Sequence, residues 1–493
     1  MSTADAVDGG SARESRIREQ PRLTLERVGA RMDRLPLSRW HVILLLCVGA
    51  ILVFQYMDNY AFSYASPGAI AELHLTVGQV GDINTYFGVG GLVGAIVAGL
   101  VVDRLGRRRT LIFFTGWYSL FCIVNALVGT PLEFMLARTL SGFGATGASV
   151  AALSIIGEMV PSSHRGRLIT TMTMVGGLGP AILSWSALGI VPASAGAWRA
   201  LFLICALGFI ALIVTLVWLP ESPRWYITRG RYEDAEKILS KIEAAVERTS
   251  KRPLPPVVEP PATPAESAAV SAVEAQKRLW LGVGDIFAQG YGKRWILVAL
   301  MTACVGVAYF GFGFYLPTLL YLRGDSAAGS IYFAAIIFTC GNALAFGFWL
   351  VSDRWQRKYL LAGTGIAIAA LSLIYGTSGK GASAQLIIAG ILIIAFLQVQ
   401  VAFFYSFEAE LFPTHIRGTA LGTVAVVSGL IGLYGPKAIT NIYGSSGFLA
   451  VFIFLMAVEI VLAALVLVMG ERTTRVSLEE LNELGHTKLK GAA

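Results

Sequence analysis

Two stretches decide the fold: Glu158-Met-Val-Pro161-Ser-Ser-His-Arg165-Gly166 and, 252 residues later, Glu410-Leu-Phe-Pro413-Thr-His-Ile-Arg417-Gly418. Glu, Pro, Arg and Gly keep identical register in both. The match continues upstream. Gly99-Leu-Val-Val-Asp103-Arg104-Leu-Gly106-Arg107-Arg108 precedes the first copy, and Gly347-Phe-Trp-Leu-Val-Ser-Asp353-Arg354-Trp-Gln-Arg357-Lys358 precedes the second. Charged motifs recurring at nearly the same spacing mark a chain made of two copies of one unit.

Each motif sits at the end of an apolar run of about 20 residues or more, the length that crosses a bilayer as a helix. Such runs fall near 41–65, 80–102, 110–129, 132–154, 168–190 and 199–219, and again near 295–320, 328–351, 359–377, 383–406, 419–442 and 447–469. Backbone in lipid must bond within its own helix or in a closed barrel, and runs this long are not barrel strands. The predicted fold is all-α and membrane-integral, with twelve transmembrane helices in two six-helix pseudo-repeats. Composition agrees. Of 493 residues, 55% are hydrophobic and 14% charged, with mean hydropathy +0.66, where soluble proteins carry about 25% charge. Disordered, collagenous and coiled-coil chains are excluded, and a soluble enzyme is disfavoured.

Basic residues set the orientation. By this division 34 of the 39 Lys and Arg fall on the side holding both termini, loops 2–3, 4–5, 8–9 and 10–11 and the central segment. The positive-inside rule makes that side cytoplasmic. The expected domains are a cytoplasmic tail (1–40), a six-helix bundle (41–219), a central loop (220–294), a second bundle (295–470) and a cytoplasmic tail (471–493). Residues 231–248 predict an amphipathic surface helix. A proline-rich linker follows from Pro253 to Pro264, then a second short helix before Trp280. The first 40 residues are polar and Arg-rich, unlike a cleavable signal peptide. The +8 net charge is explained by this asymmetry, so no nucleic-acid partner is expected. The five cysteines all lie in apolar runs, without metal-ligand spacing. No metal or cofactor is expected, and no His-Glu-x-x-His, Gly-x-Ser-x-Gly or phosphate-loop motif suggests an enzyme.

The Gly-x-x-x-Asp-Arg-x-Gly-Arg-Arg stretch, Arg138-x-x-x-Gly142-x-Gly144 and Pro220-Glu221-Ser222-Pro223-Arg224-Trp225 together resemble the major facilitator superfamily, in its branch related to sugar porters. Gly470-Glu471-Arg472-Thr473 with Leu478-Glu479-Glu480 is a weaker echo of the branch's C-terminal motif. The resemblance covers roughly 41–485. It implies a monomeric secondary transporter of the plasma or inner membrane whose halves rock around a midplane site. It also implies a cytoplasmic clamp of Asp103, Arg107, Glu158, Arg165, Glu221 and Arg224 with Asp353, Arg357, Glu410 and Arg417. Its salt bridges would hold the inner gate shut facing outward and break facing inward.

Ionisable residues inside spans are costly and carry the most information. Asp58, in Gln55-Tyr56-Met57-Asp58-Asn59-Tyr60, lies in helix 1, and Arg138 in helix 4 is its natural counter-ion. In proton-coupled members of the resembled family, such a carboxylate carries the proton and the arginine tunes it. A static ion pair tying helix 1 to helix 4 fits the same residues. Glu459, in span 12, reads as a protonated or locally paired acid, and Lys437 as a residue snorkelling to the outer interface.

Sugar porters bond hydroxyls with amides of helices 5 and 7, but here helix 5 lacks glutamine and helix 7 has Tyr309, Phe314 and Tyr315 instead. Gln55 and Asn59 on helix 1 and Gln398, Gln400 and Tyr405 on helix 10 complete the candidate substrate-binding set. Many rings and few amides suit a flat, partly apolar solute, so an aromatic or other organic acid or related metabolite is expected, by proton symport. A sugar or polyol carrier is the alternative, ahead of drug efflux or a transport-like sensor.

Overall fold

A computed structural model describes residues 23–194, 196–250, 253–257, 286–287, 290–349, 356–379, 383–412 and 414–470. Span 1 is Arg39–Leu73, span 2 Val77–Leu105, span 3 Arg107–Leu127 and span 4 Pro131–Met159. Span 5 joins Ser162–Gly176 to Leu178–Ile190, and span 6 joins Arg199–Ala206 to Gly208–Trp218. In the second half, span 7 runs through Gly292–Ala308, a π-helical stretch Tyr309–Phe314 and Leu316–Leu322. Spans 8, 9 and 10 are Ala327–Trp349, Arg357–Gly376 and Ser383–Glu410. The last helical stretch, Thr414–Met469, is broken at Gly447, where φ is +80°. Two spans therefore occupy it, the eleventh before the break and the twelfth after, which makes twelve among the described residues.

Local chemistry sets these boundaries. Thr76 with Gln79 and Thr130 with Glu133 form capping boxes that satisfy the first amides of spans 2 and 4. Span 1 ends at His74 in the left-handed conformation, φ +51°. It outlasts the run read near 41–65 because Ser63, Ser66 and Pro67 are buried among neighbouring helices, which replace what lipid would not supply.

The outer surface is apolar: Val468 is 82% exposed and Leu127 77%. An outside of this kind belongs in hydrocarbon. Inside each half, small residues let helices touch. A side chain at Gly90 or Gly94 on span 2, or at Gly142 on span 4, would meet the backbone of the facing span.

Loops 1–2, 3–4, 5–6, 7–8 and 11–12 share one end of the bundle, here the odd-loop end. The even-loop end carries loops 2–3 and 4–5 and helix Tyr232–Ser250, whose buried face is Ala235, Leu239, Ile242 and Val246. A further helix, Leu25–Asp33, docks there: Arg31 reaches Glu236 at 2.6 Å and Glu243 at 2.7 Å, and Arg34 reaches Glu243 at 2.7 Å. Beyond Val257 the expected linker, and the short helix before Trp280, lie outside the described residues.

Candidate functional site

Asp58 is fully buried in the first half. Its Oδ1 accepts from Arg138 Nη1 at 2.7 Å, the same nitrogen reaches the Asp58 carbonyl at 3.2 Å, and the Ser141 hydroxyl donates to Oδ2. The guanidinium lies 4.0 Å above the Phe87 ring and 5.7 Å from that of Phe202. Tyr118 and Cys122 on span 3 and Cys205 on span 6 face the carboxylate. Arg138 Nε and Nη2 have no partner among the described residues. A permanent cation is thus held in a fully buried pocket by one carboxylate, one backbone carbonyl and the face of Phe87. The pair faces the core of its own half and lies beside the space between the halves.

That space is lined from the other side of span 1. Gln55 donates to Asn59 at 3.1 Å and accepts from Ser149 at 2.9 Å. Tyr60 stacks on Phe314 at 4.2 Å, meets Phe338 edge-on at 5.6 Å, and turns its hydroxyl to that of Tyr309. Tyr56 faces Tyr309 and Tyr405. On the second half, Gln398 donates to Asn342 at 2.7 Å. Both amide pairs engage the asparagine carbonyl, so each pair keeps N–H hydrogens that its own bond does not use, on the asparagine Nδ2 and on the glutamine Nε2. Tyr309, Phe314 and Tyr405 are therefore brought against span 1 beside Gln55 and Asn59, and Gln398 approaches span 5 at Gly177.

Two candidates go elsewhere. Gln400 is fully buried and donates at 2.8 Å to Glu459, because two residues along a helix turn a side chain to the opposite face. Tyr315 is also fully buried, turned toward Asn84 and Asp82 of span 2 where the halves abut. Tyr56, Tyr60 and Asn342 are lining residues that the sequence reading passed over. The i, i+4 spacing of Tyr56 and Tyr60 beside Gln55 is the signal that marks two of them.

The halves are sealed at the odd-loop end. Ser66 and Thr318 share a hydrogen bond of 2.7 Å, Trp185 donates to Thr339 at 2.9 Å, and Lys437 pairs with Asp82 at 2.7 Å. Lys437 thus bridges to the other half where snorkelling had been expected. Gly81 lies under Thr440, and Gly88 under the Gly432 backbone. Nearer the even-loop end Tyr405 is 59% exposed and faces Tyr56 and Tyr309.

At the even-loop end, Arg107 binds Glu158 and Asp103 at 2.8 and 2.9 Å, and Ser222 donates to Glu158 at 2.5 Å. The N-terminus of span 3 is capped by Glu221, which accepts from the amides of Arg107 and Arg108 at 2.8 and 3.0 Å. The carboxylate reaches them because Gly106, at φ +99°, has no side chain in its way. Arg224 lies against Gly29, and Arg165 Nε is buried with no partner among the described residues. These contacts lie within the first bundle or join it to the N-terminal tail and the start of the central loop, and they are intact while the seam is sealed at the opposite end. Arg357 opens span 9. Asp353 and the side chains of Glu410 and Arg417 lie outside the described residues.

Comparisons with known proteins agree with this architecture. The inner membrane metabolite transport protein YdjE of Escherichia coli is 26% identical over 466 residues, covering 93% of this chain and 99% of its own length. The niacin transporter NiaP of Acinetobacter baylyi is 26% identical over 456 residues, covering 92% and 99%. Among solved structures, the inward-open conformation of the xylose transporter XylE from E. coli superposes with a TM-score of 0.69 at 18% identity, over 90% of this chain and 99% of that one. The family model described as Major Facilitator Superfamily matches residues 48–436. The chain is a multi-pass membrane transporter and belongs to the Major Facilitator Superfamily.

Proposed function

We propose that this transporter is a proton-coupled symporter for a small organic solute, an aromatic or other organic acid or a related metabolite. It works by alternating access as a monomer in a plasma or inner membrane, with the even-loop end and both termini in the cytoplasm. The observation that carries the reading is the position of Asp58, buried with Arg138 one residue from Asn59, which lines the space between the halves.

A proton on Asp58 cancels the charge that holds Arg138 and loosens span 1 from span 4. The same short stretch of span 1 presents Gln55, Tyr56, Asn59 and Tyr60 to the solute. Proton and solute therefore act on one helix segment, which is the physical requirement for coupling them. Aromatic walls with amide N–H groups to spare suit a flat ring bearing an acceptor such as a carboxylate. Relatives named for metabolites and for niacin support that class. With the odd-loop end sealed, this conformation faces the cytoplasm. The clamp within the first half would then close against Asp353, Arg357, Glu410 and Arg417 in the opposite conformation.

Labelled nicotinate is the first probe, in proteoliposomes with an imposed proton gradient. Accumulation should follow the gradient and collapse with a protonophore. Asp58→Asn should abolish accumulation while sparing exchange of solute for solute; accumulation that survives this change sinks the coupling scheme. The amide pairs also suit hydroxyls, so strong competition by hexoses or inositols would favour a sugar or polyol carrier.

A further inference from the structure

The second half hides an acid of its own. Glu459, on span 12, is fully buried and makes no ion pair among the described residues. Among the described residues its one hydrogen bond is the 2.8 Å contact from Gln400 Nε2 to Oε2. Glu459 Oε1 and Gln400 Oε1 are both buried acceptors without a donor among the described residues. The groups around the carboxyl are the Cys304 thiol from span 7, Gly365 from span 9 and the Gln400 amide from span 10. Gly365 makes room: a Cβ there would stand 3.2 Å from Glu459 Oε2. None of these neighbours carries positive charge.

An anion in this setting would face a large desolvation penalty with one amide to offset it. Two orphan acceptors on adjoining groups would each add a cost of their own. A single proton removes both problems. Placed on Glu459 Oε1, it neutralises the charge and supplies the donor that the Gln400 carbonyl lacks. Carboxylic acid and primary amide are then complementary, each giving one hydrogen and taking one.

We propose that Glu459 and Gln400 form a second proton-binding site, in the C-terminal half, occupied by one exchangeable proton in this conformation. The two halves place their acids in corresponding walls. Asp58 is enclosed by spans 1, 3, 4 and 6, and Glu459 by spans 7, 9, 10 and 12, which are the first, third, fourth and sixth helices of each repeat. They differ in depth. At the 252-residue offset Arg138 corresponds to Gly390, so Gln400 lies ten positions further along span 10, roughly 15 Å nearer the even-loop end at helical rise. Span 10 also presents Gln398 and Tyr405 to the solute space, so a solute that shifts this helix shifts the amide that holds the proton.

Infrared spectroscopy of the full chain in lipid, with isotopically labelled glutamate carboxyls, tests the site without any solute. At neutral pH the wild type should show a protonated glutamate carbonyl band. It should persist in Asp58→Asn, vanish in Glu459→Gln, and move to higher frequency in Gln400→Leu, where the hydrogen bond to that carbonyl is gone. An alkaline step should bleach the band reversibly. Absence of a band that depends on Glu459 overturns the proposal. A band that no alkaline step bleaches marks a fixed hydrogen-bond donor and overturns exchange. Because Asp58→Asn leaves the band in place, failure here and failure of the Asp58 scheme are separate results.

Discussion

Removing the carboxylate of Asp58 while keeping its shape gives the sharpest test of the first half's interior. The Arg138 Nη1 to Asp58 Oδ1 distance is 2.7 Å and both side chains are fully buried. At an effective dielectric of 20, two unit charges so placed attract by about 6 kcal/mol. Much of that offsets desolvation, yet the penalty on Arg138 stays when its partner is gone, since a guanidinium cannot shed its proton. The Phe87 face and the Asp58 carbonyl remain as partial compensation. Breaking one side of such a pair costs about 3–5 kcal/mol, or roughly 140- to 4,000-fold in the folding equilibrium at about 1.4 kcal/mol per tenfold. Asp58→Asn should therefore lower unfolding stability by that amount in lipid nanodiscs, read by denaturant titration of tryptophan fluorescence. Arg138→Met should cost less, because an orphaned acid can take up a proton. The double variant should recover most of the loss, because it leaves no buried charge. An Asp58→Asn protein within about 1 kcal/mol of wild type, or a double variant equal to the sum of the singles, would refute the reasoning.

Other outcomes follow from contacts at the two ends. Gly106→Ala should cost about 2–4 kcal/mol in the same titration, from the left-handed backbone and from displacing Glu221 off the first amides of span 3. The docking of Leu25–Asp33 on Tyr232–Ser250 should depend on acid. Arg31 holds the Glu236 carboxyl below its ordinary range, and burial, which alone would raise Glu243, is outweighed there by Arg31 and Arg34. Carboxyls held low stabilise the contact above the ordinary glutamate value of about 4.3 and lose that effect as pH falls through their lowered values. Spin labels on the two helices should keep a constant separation down to about pH 5 and part below about pH 4; separation already at neutral pH would contradict the assignment. Asp82→Lys should set like charges across the odd-loop seam and raise labelling of Ser66→Cys by an impermeant thiol reagent. Adding Lys437→Asp should return labelling to the starting level.

The parts of this architecture legible in the sequence are those where a charge interrupts an apolar run or a motif repeats. Asp58 and Arg138 stood out because each lies well inside an apolar run, away from its ends, and Arg107 with Glu158 because both sit in repeated motifs. Phase around a helix was not legible. Span 10 is apolar on every side, so nothing in the run 383–406 tells that Gln398 turns to the solute space and Gln400 to Glu459. The same blindness hid Asn342, a single amide in an apolar helix, and misplaced Tyr315. Lys437 was read alone because its partner, Asp82, lies 355 positions away, on a helix whose facing is set only when the halves close.

The six residues Tyr309–Phe314 interrupt span 7 with a wider turn, and they include two of its glycines, Gly311 and Gly313. Below them, Gly292–Ala308 is bound into the second half; above them, Thr318 is fastened to Ser66 of the first. Such loosely wound turns bend more readily than regular helix. Span 7 is thus jointed like a finger: its tip can leave the seam while its root stays seated, and Phe314, stacked on Tyr60, rides on the knuckle. Parting the odd-loop ends then demands the unfastening of one short tip, not the dragging of a whole rod through the bilayer.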